Sequence, residues 1–572
     1  MRSRAVPEGG LARLLLSLTC FLLFSVASGP LRAADFYIDP VAGDDAGDGS
    51  SVHPWRSLQA VLDAGKVQTR DWPSLPYAEG AELVDKNVGA PVGPGDTIWL
   101  RDGYHGRLEL QSHYNAAPIT IRAEHLGQAR FASILVRSSE NWVVRGLSVS
   151  AEYDAEFERQ TLINVESHNW RGPVRNVVVE GCALSTVSDS APWSAADWDT
   201  RACNGISVSG DDVTVRENVL RNVNFGISVS GKRALVLGNT VENFSGDGLR
   251  GLGDDGVFES NLIRNCYDVN ENHDDGFQSW SVGEDGVGSG VVRGIVLRGN
   301  TIINYSDPQQ PLRGTLQGIG CFDGFFEDWV IENNVIVVDH WHGITLMGAR
   351  NVRVFNNTVL DLNEERPGPP WIRISAHKDG RPAENCIVRN NLTTALSLDA
   401  EGVSEDHNLI IDDPAAFFVD HLSHDLHLLA GSPAVDAGSA DGAPATDHDG
   451  LPRALGTAVD VGAFEYNDGS WPPVLEVEGE ELELPVEEAE DELESTVEVE
   501  LTELSAEDEL ETAPDSAPEA LEADVDAKES SESACACALS TRAVLPNAFV
   551  LLLLCLGMLL LGRRAAKTHS EP

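Results

Sequence analysis

Three aspartates carry the sharpest chemical signal in this chain. Asp247 and the second member of the pair Asp274-Asp275 occupy the same place in a repeated x-Gly-apolar segment, as Asp247-Gly-Leu and Asp275-Gly-Phe. If those segments stack as neighbouring strands, their backbones lie about 4.8 Å apart. Both carboxylates then reach one cation through bonds of about 2.3–2.6 Å, so the expected cofactor is Ca2+, held by Asp247, Asp274 and Asp275. The interval between Asp247 and Asp275 is 28 residues, where the two intervals before it are 21 and 22, and the enlargement carries Asp268, Glu271, Asn272 and His273. Such a cation would neutralise the carboxylate of a uronic acid and acidify the proton alpha to it, and a base would remove that proton in a β-elimination. Arg250 is the best-placed base. Lys232, in a turn one repeat earlier, and His273 are the substitutes.

The elements that must position these residues are short strands. The x positions of the repeated segment are Asn204, Phe225, Asp247, Asp275, Gln317 and His342, and each is followed by glycine. Two residues after each x, Ile206, Ile227, Leu249, Phe277, Ile319 and Ile344 are expected to point inward. One further on, Ser207, Ser228, Arg250, Gln278, Gly320 and Thr345 point outward, because side chains alternate along a strand. The next outward column is Ser209, Ser230, Leu252, Trp280, Phe322 and Met347. Serine thus gives way to Arg, Gln and aromatics in the middle repeats, as a sugar-binding strip would require. Gln278, Trp280, Phe322 and His342 are the expected substrate-binding residues.

A second repeated pattern alternates with the first. Apolar-x-apolar-x-x-Asn-x-apolar recurs at Asn218, Asn239, Asn261, Asn300, Asn334, Asn357 and Asn391, with Cys182 and Leu147 in the same slot upstream. Two or three period-2 runs per repeat cannot bury a face alone, but stacking one coil on the next buries a continuous core. A recurrent Asn lets each side-chain amide hydrogen-bond its neighbours above and below. At these residues the chain resembles the pectate-lyase-like right-handed parallel β-helix. A propeller or sandwich would need longer or more even repeats and no polar ladder.

The flanks agree with an all-β solenoid. Phe36-Tyr-Ile-Asp-Pro, then Trp55, Leu58, Val61 and Leu62 at helical spacing, resembles the N-terminal cap of secreted β-helices, whose helix plugs the open end of the coil. Ser432-Pro-Ala-Val-Asp-Ala-Gly, Asp449-Gly-Leu-Pro-Arg453 and Asp460-Val-Gly-Ala-Phe-Glu465 together resemble the closing module of surface β-helix proteins called choice-of-anchor.

The resemblance implies fold more strongly than chemistry, because this scaffold carries lyases, hydrolases, epimerases and binders alike. Three readings follow. β-Helix polysaccharide lyases use Lys or Arg beside calcium, which permits the elimination described above. The order Asp247, Asp274-Asp275, His342-Gly is similar to that of the polygalacturonase-type hydrolases, where one acid protonates the glycosidic oxygen and another activates water. The coil of Gln317 intervenes, however, and sets His342 about 10 Å from the acids. In the third reading a cation ties down the long loop, and the protein binds glycans or builds a surface layer without catalysis.

Charge and the two ends complete the picture. The chain has 91 acidic and 40 basic side chains over 572 residues, so a nucleic-acid partner is not expected. The nine cysteines show no paired spacing and suggest neither a disulfide framework nor a zinc site. Residues 1–34 read as a signal peptide, with arginines before the apolar run Leu14 to Val26. The cap and first coils are assigned to 35–135, the repeats to 136–400 and the closing module to 401–466. Residues 467–533 are expected to form a disordered acidic stalk, since 471–533 hold 25 Asp/Glu and one Lys. Within 534–572, the apolar span Val544 to Gly562 followed by Arg563 and Arg564 is long enough to cross a membrane. With Cys535 and Cys537 this end resembles a myxobacterial-type C-terminal sorting signal, which implies a sorting protease as partner and anchoring at the cell surface. The other partner is an anionic polysaccharide.

Overall fold

The computed structural model describes residues 33–469, apart from residues 364 and 400. The apolar runs of the repeats form strands, and each strand pairs in parallel with the equivalent strand of the next coil. Three long sheets result, with 15, 12 and 11 strands; all pair in parallel except Thr69–Asp71 and Val84–Lys86, which join the first sheet antiparallel. The inward side chains of all three meet in one core that runs the length of the coil, from Leu108 and Ile134 through Ile206 and Phe277 to Ile372 and Val388. Parallel strands need crossover connections, and here the crossovers are the other two sheets.

The asparagine ladder sits at the bend between the first and second sheets. Asn300 Nδ2 donates to Asn334 Oδ1 at 2.9 Å and to the Phe258 carbonyl at 2.9 Å, while the Asn300 backbone N–H reaches the same Asn334 Oδ1 at 3.0 Å. The rungs from Asn218 to Asn391 repeat this arrangement, and Asn408 extends it by one more. Cys182 opens the ladder through its backbone N–H to Asn218 Oδ1, at 2.9 Å. The residue before each rung is left-handed, with φ between 54° and 62° at Glu217, Gly238, Ser260, Gly299, Asn333, Asn356 and Asn390. That bend delivers each Asn inward, where burial in a low-dielectric core makes every bond of the ladder count.

The glycine of the x-Gly-apolar segment has a different cause. At the corner leading into the third sheet the backbone runs against the inward side chains of the second. A Cβ on Gly248 would lie 2.4 Å from Ile263 Cγ2, and one on Gly276 would lie 2.5 Å from Ile302 Cγ2.

At the N-terminal end the short helix Leu58–Asp63 is capped by Ser57, whose side chain accepts from Ala60 N–H. It buries Leu58, Val61 and Leu62 in the same core as Leu108 and Leu110, as a plug for the coil should. At the other end the coil runs further than expected: Val403–Asp406 and Leu409–Ile410 still pair with the strands before them, so the repeats pass residue 400. The expected closing module does not simply cap the end. It packs sideways on the outer face of the second sheet, where Phe417, Leu426, Val461 and Phe464 cover Val335, Val337 and Leu360 in a second apolar cluster. The buried pair Arg453–Glu465, at 2.7 Å, holds the module together, and Arg453 also donates to Asn333 Oδ1 at 2.9 Å.

The five cysteines of this region are free and buried. Among the described residues no helix is long and apolar enough to cross a membrane. The expected signal peptide, acidic stalk and C-terminal span lie outside the described residues.

Candidate functional site

The strands Leu249–Gly251, Asp275–Trp280, Gln317–Asp323 and His342–Met347 follow one another in the third sheet. Their registers pair Arg250 with Gln278, Gln278 with Gly320, and Gly320 with Thr345. Asp247 and Asp275 are therefore on adjacent coils, as the x-Gly-apolar frame requires. The Asp275 backbone N–H donates to Asp247 Oδ1 at 3.0 Å, which ties the two coils at this point. His342 lies two coils beyond Asp275.

The acids are buried: Asp247 and Asp275 are 0% exposed and Asp274 is 5% exposed. Arg250 folds back on its own strand, and its Nε donates to Asp247 Oδ2 at 2.5 Å. Its guanidinium also covers the Phe225 ring, 3.5 Å from the centroid, and lies 5.3 Å from that of Trp280. Gln278 makes the equivalent i, i+3 contact one coil on, donating to Asp275 Oδ2 at 2.8 Å. Asp275 Oδ1 is buried without a hydrogen-bond partner and points at Gly320, where a Cβ would lie only 2.0 Å away. Asp274 turns aside: Cys266 Sγ approaches its Oδ2 at 3.5 Å and Asn272 Nδ2 donates to its Oδ1 at 2.9 Å.

Burial sets the protonation of this cluster. It pushes the Asp274 carboxyl up to about 8, with the Asp247 charge as the next cause. Asp275 is raised well above the usual carboxylate range by burial and then by Asp247. Asp247 is also raised by burial, while Arg250 pulls it back. Arg250 thus offsets the burial of Asp247, while burial and the neighbouring Asp247 charge favour the protonated forms of Asp274 and Asp275.

Arg250 is held in an ion pair with Asp247 and sets a positive charge beside the acids. Asp247 and Asp274 face donors from the protein through both oxygens, while Asp275 faces Gln278 through Oδ2 and leaves Oδ1 without a hydrogen-bond partner. Among the described residues no group of three or more His, Cys, Asp and Glu side chains is arranged to hold a metal ion. The sequence frame predicted the stacking of the acids but not that an arginine three residues along would fold onto them.

The remaining expected site residues divide into near and far. Lys232 is far: it sits past the other end of its strand and pairs with Asp254 at 3.1 Å, which removes it from the cluster. His273 is exposed on the long loop, next to Asp274 in the chain, and its electrostatic influence reaches both His340 and His342. Burial holds His340 down to about 4 and His342 to about 3, and both rings are neutral at pH 7. His342 Nδ1 lies 2.9 Å from Thr345 Oγ1. A register shift after Ser279 pairs Trp280 with Asp323 instead of Phe322. Phe322 is turned toward His342, with ring centroids 4.8 Å apart and edge to face. One further coil extends the face, unmarked by any x-Gly step: Trp371–Ser375 sets Trp371 opposite His342 and Arg373 opposite Thr345. Plain period-2 alternation in Trp371-Ile-Arg-Ile-Ser was the signal for it.

A family model described as a right handed beta helix region matches residues 204–364. The fold is a right-handed parallel β-helix. No curated protein matches the chain. Among solved structures it is similar to pectate lyase Pel9A, at 16% identity over 76% of this chain and 96% of that one, with a TM-score of 0.41. It is also similar to the A-module of the Azotobacter vinelandii mannuronan C-5 epimerase AlgE4, at 13% identity over 55% of this chain and 83% of that one, with a TM-score of 0.36. The PL6 family alginate lyase AlyGC matches at 15% identity over 56% of this chain and 49% of that one, with a TM-score of 0.33. The fold assignment rests on the strand registers and the family match.

Proposed function

We propose that the protein is a carbohydrate-active β-helix that acts on an anionic, uronate-containing polysaccharide along the outward face of the third sheet, by β-elimination. The observation that carries this reading is the in-register stack of Asp247 and Asp275, crossed by the Arg250 guanidinium and flanked by Phe225 and Trp280. A polar strip beside flat apolar faces suits a sugar chain. Burial raises Asp274 and Asp275 above the usual carboxylate range and Arg250 pairs with Asp247, so the strip repels an incoming uronate less than three free carboxylates would.

In this reading Arg250 and the Gln278 amide meet the uronate carboxylate and make the alpha proton acidic. His273, the exposed imidazole beside the acids, takes that proton. The electron pair left behind forms the new double bond as the bond to the leaving glycosidic oxygen breaks, and that oxygen takes its proton from water. No step is routed through calcium. Export through residues 1–34 and anchoring at the surface through 534–572 belong to the same proposal, since a polysaccharide of this kind is met outside the cell.

One observation favours a second reading. The complete burial of Asp247 and Asp275 suits a cluster that locks the long loop of a non-catalytic glycan-binding protein. Product analysis separates the possibilities. Purified protein incubated with pectate, alginate and glycosaminoglycans is expected to release unsaturated uronate ends. New reducing ends without unsaturation would mean hydrolysis, and neither product would leave the binding reading.

A further inference from the structure

The outward column that contains Arg250 ends in a second arginine whose situation is the reverse of the first. Arg373 follows Gln278, Gly320 and Thr345 in strict register. Arg250 is neutralised by Asp247, but among the described residues Arg373 has no carboxylate partner, and its Nε is buried without any hydrogen bond. A buried donor left unmade costs free energy comparable to a lost hydrogen bond, and more for a charged group, unless a ligand satisfies it. Carboxylates are plentiful in a protein with a formal charge of −51, yet among the described residues none pairs with Arg373.

The surroundings of Arg373 are aromatic. Its guanidinium lies 5.5 Å from the Trp371 ring centroid. The Trp341 ring runs nearly parallel to that of Trp371, at 16° and 6.2 Å, and Trp341 is 40% exposed. Both indole N–H groups are already bonded, Trp371 to Thr345 Oγ1 at 3.2 Å and Trp341 to the Gly368 carbonyl at 3.2 Å, which fixes the rings. A rigid flat platform beside a half-buried guanidinium with an unpaired Nε recognises two things at once: the apolar face of a pyranose and an acidic group on the same sugar.

We propose that Arg373, Trp371 and Trp341 form a binding subsite for a uronate residue of a glycan chain, with Arg373 receiving the carboxylate and the tryptophans the ring face. This subsite lies three strands beyond Asp275, about 14 Å along the coil, more than one sugar spans. A single chain engaging both places is therefore an oligomer laid along the coil axis. The inference rests on the proposed function for its polymer but concerns binding alone, so the two fail separately. A protein that binds uronate chains and yields no unsaturated ends sustains this inference and not the elimination.

Affinity electrophoresis of the full chain through gels containing polygalacturonate, alginate, dextran sulfate or neutral dextran tests it, with chelator throughout. Retardation by a uronate polymer is expected, with about tenfold weaker affinity for Arg373→Gln, a loss of about 1.4 kcal/mol. Trp341→Ala, at an exposed ring that carries none of the core, should weaken binding similarly and guards against misfolding of the arginine variant. Arg373→Lys should recover part of the affinity, because it restores the charge without the planar fork. Retardation unchanged in both Arg373→Gln and Trp341→Ala, or retardation by dextran sulfate alone, would overturn the assignment.

Discussion

Asp274 combines deep burial with contacts from a thiol and an amide, and its carboxyl is pushed up to about 8 from an ordinary 3.8. The folded state thus holds a proton that the unfolded chain releases in the same range. Its contribution to stability is fully present below about pH 4 and is lost as pH rises toward 8. His340 and His342 act in the opposite sense, since their folded values lie below the ordinary 6.5 and their contribution is lost as the pH falls below it. Melting temperatures of wild type and Asp274→Asn, compared across pH 4 to 8, isolate the first effect. The variant's curve should fall less steeply toward pH 8 than that of wild type, since Asp275 still contributes in the same direction, and parallel curves would show that Asp274 is ionised throughout. At this scale the sequence made the stacking of Asp247 on Asp275 legible, because a fixed x-Gly-apolar frame converts spacing into register. It did not reveal Arg250 turning back onto Asp247, or Asp274 turning to Cys266, because those contacts depend on side-chain directions around a strand corner.

The ladder and the glycine corners are properties of the coil as an element. Each rung satisfies buried donors of its neighbours, so Asn300→Ala removes the oxygen to which the Asn261 backbone N–H and Nδ2 both donate, while Asn334 Oδ1 keeps the Asn300 backbone N–H, and should cost about 1–3 kcal/mol. Gly248→Ala, forcing a methyl against Ile263, should cost a similar amount, about 1–3 kcal/mol, by overpacking. Urea unfolding of the two variants reads both, and a midpoint shift within error for Asn300→Ala would mean that the amide bonds exchange for water without loss. The pattern of Asn and Gly residues predicted these elements because each has one physical cause repeated along the chain. The register shift after Ser279 has no such repetition. It displaces Phe322 from Trp280, and nothing in the spacing of Gln317-Gly-Ile-Gly-Cys-Phe signals it.

The described residues form a coil closed at one end by a short helix and clasped along the second sheet by the segment from Pro414 to Tyr466. The clasp depends on Arg453, whose guanidinium reaches Glu465, the Gly462 and Ala463 carbonyls and Asn333. Breaking a buried pair by removing one partner costs about 3–5 kcal/mol. Arg453→Ala should therefore expose the second apolar cluster and open the segment after Phe417 to limited proteolysis, while the coil before it stays resistant. Equal protease resistance in variant and wild type would contradict the clasp. The sequence marked this segment as a closing module but not its sideways docking, which relies on outward apolar residues such as Val335 and Val337 that read as ordinary strand positions.

The central claim is that the face holding Asp247 and Asp275 cleaves uronate chains with Arg250 as its fixed cation. The most direct test follows ultraviolet absorbance of unsaturated uronates during incubation with pectate and alginate, in chelator, for wild type and Asp275→Asn. The account predicts a rise with wild type that persists in chelator and is lost in the variant. A rise that the variant retains, or one that appears only when calcium is restored, would contradict it.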